Sequence, residues 1–171
     1  MTNLTPYQQT MLNTWGQHGR AEFELKDPDA AIATMSDNPY ILGISLGQLL
    51  YGREAVHTFY ARDFLPKIPA DFSRVPVAQI VGADHIAEEF LVRFTHTVEM
   101  PWMAPGVRPT GRKVDIVMVA FVGFNGDKMA YEHLMWDHAA LLTQLGVTTE
   151  PAVGVSTKSA AELLRLVTPN R

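Results

Sequence analysis

The sequence predicts an α+β fold: helices first, then strands, then a closing helix, built round a mainly antiparallel sheet. Three observations carry this. Proline-led helical patterns open the chain. The stretch Ile86–Val98 alternates apolar and polar residues as a half-buried strand does. Phe124-Asn-Gly-Asp127 sits between two apolar runs as a hairpin turn signal. Helices and strands that are segregated along the chain, not alternating, exclude a doubly wound parallel sheet.

The elements follow in order. Thr5-Pro6 reads as an N-cap with proline at the first helical position, and Tyr7, Met11, Leu12 and Trp15 recur at helical spacing to about Arg20. Asp27-Pro28 repeats the signal for a short second helix through about Met35, and the turn-rich Ser36–Gly47 is expected as loop. Gly52–Phe64 is a third helix with an apolar stripe of Val56, Phe59, Tyr60 and Phe64, stopped by Pro66. Ser73–Val81 and Ile86–Val98 are strands. On the second, Ile86, Phe90, Val92, Phe94 and Val98 share a face with Glu88 and His96. Asn125-Gly126 supplies a two-residue type I′ turn joining Val114–Phe124 to Lys128–Trp136. That register sets Glu132 opposite Val119 and His133 opposite Met118, with both hairpin faces apolar enough to be covered. Asp137 caps a helix His138–Leu145 closed by Gly146, and Ser156–Leu166 is a last helix.

Composition narrows the function. The 171 residues fit one domain, 1–171, and 47% hydrophobic with 19% charged residues excludes general disorder. A net charge of −4, from 14 basic and 18 acidic residues, argues against a nucleic-acid partner. No cysteine is present, so thiolate chemistry and disulfides are excluded. The longest apolar run, Ile116–Phe124, has nine residues, too short for a membrane span. The first residues lack a basic and apolar leader pattern, so a cytoplasmic location is expected. No glycine-rich phosphate loop follows a strand, which removes a nucleotide-binding fold.

Isolated polar residues on apolar faces are the candidates for chemistry. Asp137, where a long strand hands over to a helix, is either a plain N-cap or a base for an activated carbon acid. Glu132 is expected among Ala130, Leu134 and Trp136, facing Val117, Val119 and Phe121; a charge there is paired, with Arg93 or Arg112, or working. His96 is a core histidine or a second polar group, and Glu88 lies eight residues away, about 26 Å along a straight strand, too far to share a small site. His57 and Tyr60, i and i+3 on the third helix, would lean over one cavity. His133 and His138 bracket Asp137 without a metal-ligand spacing, so no metal is expected. Met100, Trp102 and Met103 read as an apolar lid or as packing.

Three stretches together carry a resemblance: Arg93-Phe-Thr-His-Thr97, Gly106-Val-Arg-Pro-Thr-Gly-Arg-Lys-Val114, and Glu132-His-Leu-Met-Trp-Asp-His-Ala-Ala-Leu-Leu-Thr-Gln-Leu-Gly146. From roughly Asn38 to Gly146 the chain resembles the SnoaL-like polyketide cyclases of the nuclear transport factor 2-like superfamily, which also holds ketosteroid isomerase. The resemblance implies a cone-shaped curved antiparallel sheet enclosing a pocket, a homodimer, and Asp137 as the acid/base of a ring closure. Met135 and His138 stand where the related subgroup carries Tyr and Gln. The function expected is a cofactor-independent cyclase, isomerase or lyase acting on a carbonyl-bearing or polycyclic hydrophobic small molecule. Asp137 would move the proton, with Glu132 or His96 as second polar group, and Trp136, Tyr60, His57, Phe90, Phe121 and Trp102 at the substrate. Two alternatives stand beside it: a non-catalytic binding or dimerising protein, and an epoxide-hydrolase-like enzyme needing an Asp–Arg–Asp set.

Overall fold

The computed structural model describes residues 4–148 and 160–162. Helix α1 (Pro6–Arg20) starts on a capping box: Gln8 N donates to Thr5 Oγ1 at 3.2 Å while Thr5 N donates to the Gln8 side chain at 2.9 Å. Its buried stripe, Met11, Thr14, Trp15 and His18, faces the sheet. The helix runs on as a π-helical turn, Ala21–Leu25, and stops at Lys26 in the left-handed region, φ 52°. Asp27 caps α2 (Pro28–Ala33), which ends earlier than expected because Met35 already belongs to a strand.

Ser36–Gly47 is not a loop. Met35–Gly43 forms β1, Ile44–Leu46 a 3-10 turn and Gln48–Tyr51 the edge strand β2. Asp37, Asn38 and Pro39 give β1 little intrinsic strand preference. It forms because it is hydrogen-bonded along both sides, parallel to one strand and antiparallel to β2. The expected third helix is α3 (Arg53–Phe59), capped at Gly52 and continued by a second π-helical turn, Tyr60–Phe64, and a 3-10 turn containing Pro66.

The remaining strands are β3 (Ser73–Val81), β4 (His85–Thr95), β5 (Lys113–Asn125) and β6 (Lys128–Trp136). One six-stranded sheet in the order β2-β1-β6-β5-β4-β3 results, antiparallel throughout except where β1 meets β6. Its inner face, with Phe90, Val92 and Phe94 from β4 and Ile116, Met118 and Val122 from β5, packs against α1 and the α3 region to form the core. Strand β4 ends at Thr95, short of Val98, and His96 pairs instead with the loop through Arg112 O and Gly111 N, both at 2.9 Å. Asp137 caps α4 (His138–Leu145), closed by Gly146 at φ 75°, as the sequence predicts. Of the helix expected over Ser156–Leu166, residues 160–162 are helical, with Ala161 buried against Val77 and Leu91; the rest lies outside the described residues.

The hairpin differs from expectation in register. Gly126 (φ 61°) and Asp127 make the turn, with Asn125 paired to Lys128, and the positive φ falls only on the first turn position. Moving the turn by one residue shifts the pairing by two, and a bulge beside Gly123 adds one more, so Glu132 meets Val122 and His133 meets Phe121. An odd shift exchanges faces. Glu132 therefore faces the core with Met118, Ala120 and Val122, while Phe121 points outward and is 41% exposed. The outer face is thus only partly covered, contrary to the two-sided cover expected.

At the bulge the Tyr131 ring lies flat across Gly123, where an added Cβ would come within 2.3 Å of a ring carbon. Gly123→Ala is expected to destabilise the fold by about 1–3 kcal/mol through this overpacking, read as a lower urea midpoint at unchanged slope. An unaltered midpoint would show that Tyr131 moves aside freely.

Candidate active site

Four side chains from four elements converge beneath the sheet. His18 comes from the last turn of α1, Glu22 from the π-helical turn after it, Tyr60 from the π-helical turn after α3, and Glu132 from the middle of β6. All are buried, between 0% and 6% exposed. Glu22 and Tyr60 each lie on a π-helical turn, an irregularity frequent at functional sites. His18 Nε2 lies 3.0 Å from Glu132 Oε1, 3.2 Å from Glu22 Oε1 and 3.1 Å from the Tyr60 hydroxyl. The Tyr60 hydroxyl also donates to Glu132 Oε1 over 3.4 Å.

The tautomer follows from Thr34. Its hydroxyl donates to Ala31 O at 2.7 Å, so it accepts from His18 Nδ1, also at 2.7 Å. Nδ1 therefore carries a proton, and a proton on Nε2 as well makes the ring an imidazolium facing two carboxylates. Burial alone would pull the His18 pKa down. The charges of Glu22 and Glu132, with their hydrogen bonds, outweigh it and raise the pKa to about 10. Burial, followed by the same two carboxylates, pushes the Tyr60 phenol well above its usual range, which keeps it a donor. Trp15 stacks on the His18 ring at 6.0 Å and 13°. Among the described residues, His18, Glu22 and Glu132 are also the group whose ligand atoms, within 4.8 Å of one another, have the spacing to hold a metal ion.

Beside this cluster lies a cavity of about 70 Å³ whose lining includes Glu22, Tyr60 and Glu132. Aromatic rings dominate its walls: Phe59, Phe64, Phe72, Phe90, Trp102 and Trp136. Glu132 Oε1 is engaged by His18 and Tyr60, and no described residue hydrogen-bonds its Oε2. Gln48, on the β2 edge, is the lining residue with the greatest exposure and marks the solvent side. Arg74 also reaches the lining, 3.8 Å from Glu88 Oε2, whose same oxygen accepts from Trp15 Nε1 at 2.6 Å.

The expected site residues divide accordingly. Glu132, Trp136, Tyr60, Phe90 and Trp102 border the cavity; Asp137, His96, His57 and Phe121 do not. With Trp136 turned inward, strand alternation turns the next residue away, and the Asp137 carboxylate accepts from Ala140 N at 2.9 Å as an N-cap. His96 is fully buried against the 110–112 loop, contacting Thr110 at 3.3 Å. His57 faces Asp29 at 2.8 Å on the surface. Phe121 is lost to the outer face by the register shift. The partner of Glu132 is neither of the arginines expected: Arg93 pairs with Asp115 at 3.5 Å, and Arg112 lies against Gly146. His18 and Glu22 went unnoticed, although Met11, Trp15, His18 and Glu22 continue one helical face at spacings of four and three.

No protein-family model matches the chain, and no curated protein matches it in sequence. Solved structures do match. A protein from Jannaschia sp. CCS1 classed as a SnoaL-like polyketide cyclase superposes with a TM-score of 0.70 at 17% identity, over 86% of this chain and 99% of that one. A ketosteroid isomerase-like protein from Catenulispora acidiphila DSM 44928, in complex with trimethylamine, gives 0.62 at 14% identity over 84% and 95%. SalBIII, an epoxide hydrolase/cyclase-like enzyme of pyran ring formation in the polyether salinomycin, gives 0.58 at 16% over 76% and 92%. The chain has the nuclear transport factor 2-like, ketosteroid isomerase-like fold, the one its sequence resemblance implies. Among the described residues no helix is long and apolar enough to cross a membrane.

Because the folded-state pKa of His18 lies above the ordinary 6.5, its pairing contributes stability fully below pH 6.5 and loses it as pH rises through about 10. Urea midpoints are expected to fall between pH 7 and pH 10, and a Glu22→Gln/Glu132→Gln pair is expected to flatten that fall. A wild-type profile with no slope over this window would contradict the cluster's ionic character.

Proposed function

We propose that the protein is a proton-transfer enzyme, working without a cofactor, that removes and returns a proton at carbon next to a carbonyl in a small molecule. The observation that carries the reading is Glu132: a carboxylate at the cavity floor with one oxygen held by His18 and Tyr60 and the other without a protein partner. Glu132 Oε2 takes the proton, the electron pair moves to the substrate oxygen, and the Tyr60 hydroxyl, bound only loosely to Glu132 at 3.4 Å, is free to donate to that oxygen. Two carboxylates round one imidazolium leave a negative charge in excess, which favours taking up the substrate proton. His18 positions Glu132 and spreads the charge. Return of the proton to a different atom makes an isomerase; attack of the carbanion on a second carbonyl makes a cyclase.

That the same fold is found in a SnoaL-like polyketide cyclase and in an epoxide hydrolase/cyclase-like enzyme supports a catalytic reading. At about 70 Å³ the cavity is roughly half the size of one that takes a benzene ring, which favours a small carbonyl compound over the polycyclic one. Among the described residues the lining holds a single arginine, Arg74, already paired with Glu88, and no aspartate, so the Asp–Arg–Asp set of the hydrolase reading has no counterpart there.

The test is deuterium incorporation from D2O into a panel of small ketones and 1,3-diketones, followed by NMR. Glu132→Gln is expected to lower exchange by at least about a hundredfold, whereas Asp137→Asn, which removes a helix cap, is expected to cost about 1 kcal/mol of stability and leave exchange in place. Binding without exchange in the wild type would make this a binding protein instead. Loss of exchange in Asp137→Asn alone would return the base to the α4 cap.

Self-association completes the proposal. Ile80, Ala87, Phe121 and His133 form one row across four strands of the outer face, with Ile80 71% and Phe121 41% exposed, and Tyr51 and Leu49 extend it at 62% and 59%. Such a patch supports a homodimer through this face. Light scattering at micromolar concentration is expected to give twice the chain mass for the wild type and a single chain mass for Phe121→Glu. A monomeric wild type removes the dimer.

A further inference from the structure

We propose that the occupant of the cavity is a small organic cation, an alkylated ammonium, held by the ring walls and by the buried carboxylates. This rests on the reading that the cavity is the working site, and it deepens it: the carbonyl compound on which the site works would carry an alkylated ammonium group.

The first argument is charge. Arg74 and Glu88 cancel as a pair. That leaves Glu22 and Glu132 against His18, so even with the imidazole fully protonated one negative charge is in excess, at side chains less than a tenth exposed. A buried charge without a partner is costly, and a neutral or anionic occupant would leave it so. A cation cancels it. The Oε2 atoms of both glutamates have no hydrogen-bond partner among the described residues, so they are left for a ligand.

The second argument is the wall. Ring faces attract cations through their quadrupole, most strongly when water is excluded, and several rings round one site form the cage that recognises alkylated ammonium groups. The molecule already uses these rings in this way. The Arg74 guanidinium lies 4.7 Å from the Phe90 ring centre, 5.1 Å from Phe23 and 5.3 Å from Trp15, and all three rings belong to the same lining. Phe64 and Trp102, edge to face at 4.8 Å, carry the cage across the cavity. A metal ion would satisfy the charge but gains nothing from such walls.

The experiment uses the full chain and compares tetramethylammonium chloride with tert-butanol, a neutral molecule of similar size. Melting temperature and the tryptophan indole N–H resonances are followed by titration. Tetramethylammonium is expected to raise the melting temperature and to bind at least about tenfold more tightly than tert-butanol, with Glu22→Gln weakening the cation alone. Equal binding of the two probes, no binding of the cation, or stabilisation by zinc ions that the cation cannot displace would overturn the proposal. The wild-type comparison stands whether or not the variant folds. Exchange on neutral ketones without cation binding would sink this inference and leave the proton-transfer reading; cation binding without exchange on any ketone would do the reverse.

Discussion

One buried imidazole sets the terms for the rest of the molecule. His18 binds Thr34 through one ring nitrogen and meets Glu22, Glu132 and Tyr60 through the other, so it ties α1 to β6 and to the turn after α3. Burying three ionisable groups together is tolerable only because they face one another; taking away one partner of such a group costs on the order of 3–5 kcal/mol. That penalty, together with the Trp15 hydrogen bond to Glu88, fixes the rotation of α1 on the sheet.

Most of the architecture was legible in the sequence because it depends on short-range chemistry. Thr5-Pro6, Asp27-Pro28 and Asp137 with Gly146 are local caps, and each opens or closes the helix it predicts. The alternation of β4 is equally local. What escaped is what only tertiary contact decides. β1 carries Asp37, Asn38 and Pro39 and is a strand because β6 and β2 flank it. A bulge beside Gly123 and a turn one residue further on exchanged the faces of the hairpin, which brought Glu132 inward on new neighbours and turned Phe121 out.

The site was half legible for the same reason. Glu132, Tyr60 and Trp136 announced themselves as a charge or ring on an apolar face. His18 and Glu22 are ordinary helix residues until the fold sets them beside Glu132, 114 and 110 places further along the chain. Asp137 drew attention through its motif, yet the alternation that turns Trp136 inward turns it away. Two π-helical turns, each supplying a side chain to the cluster, are not announced by the helical pattern of the sequence.

The edge hairpin of β1 and β2 has a consequence for how such a molecule diversifies. Gln48 and Leu50, at the mouth, belong to a strand held along one side only, whereas Glu132 sits on β6, clamped between β1 and β5. A margin fastened on one flank yields far more readily than a plank fixed on two. Entrance and floor are therefore mounted on separate timbers: substitutions in β2 can widen the doorway or change its threshold while the buried carboxylate stays where it was laid.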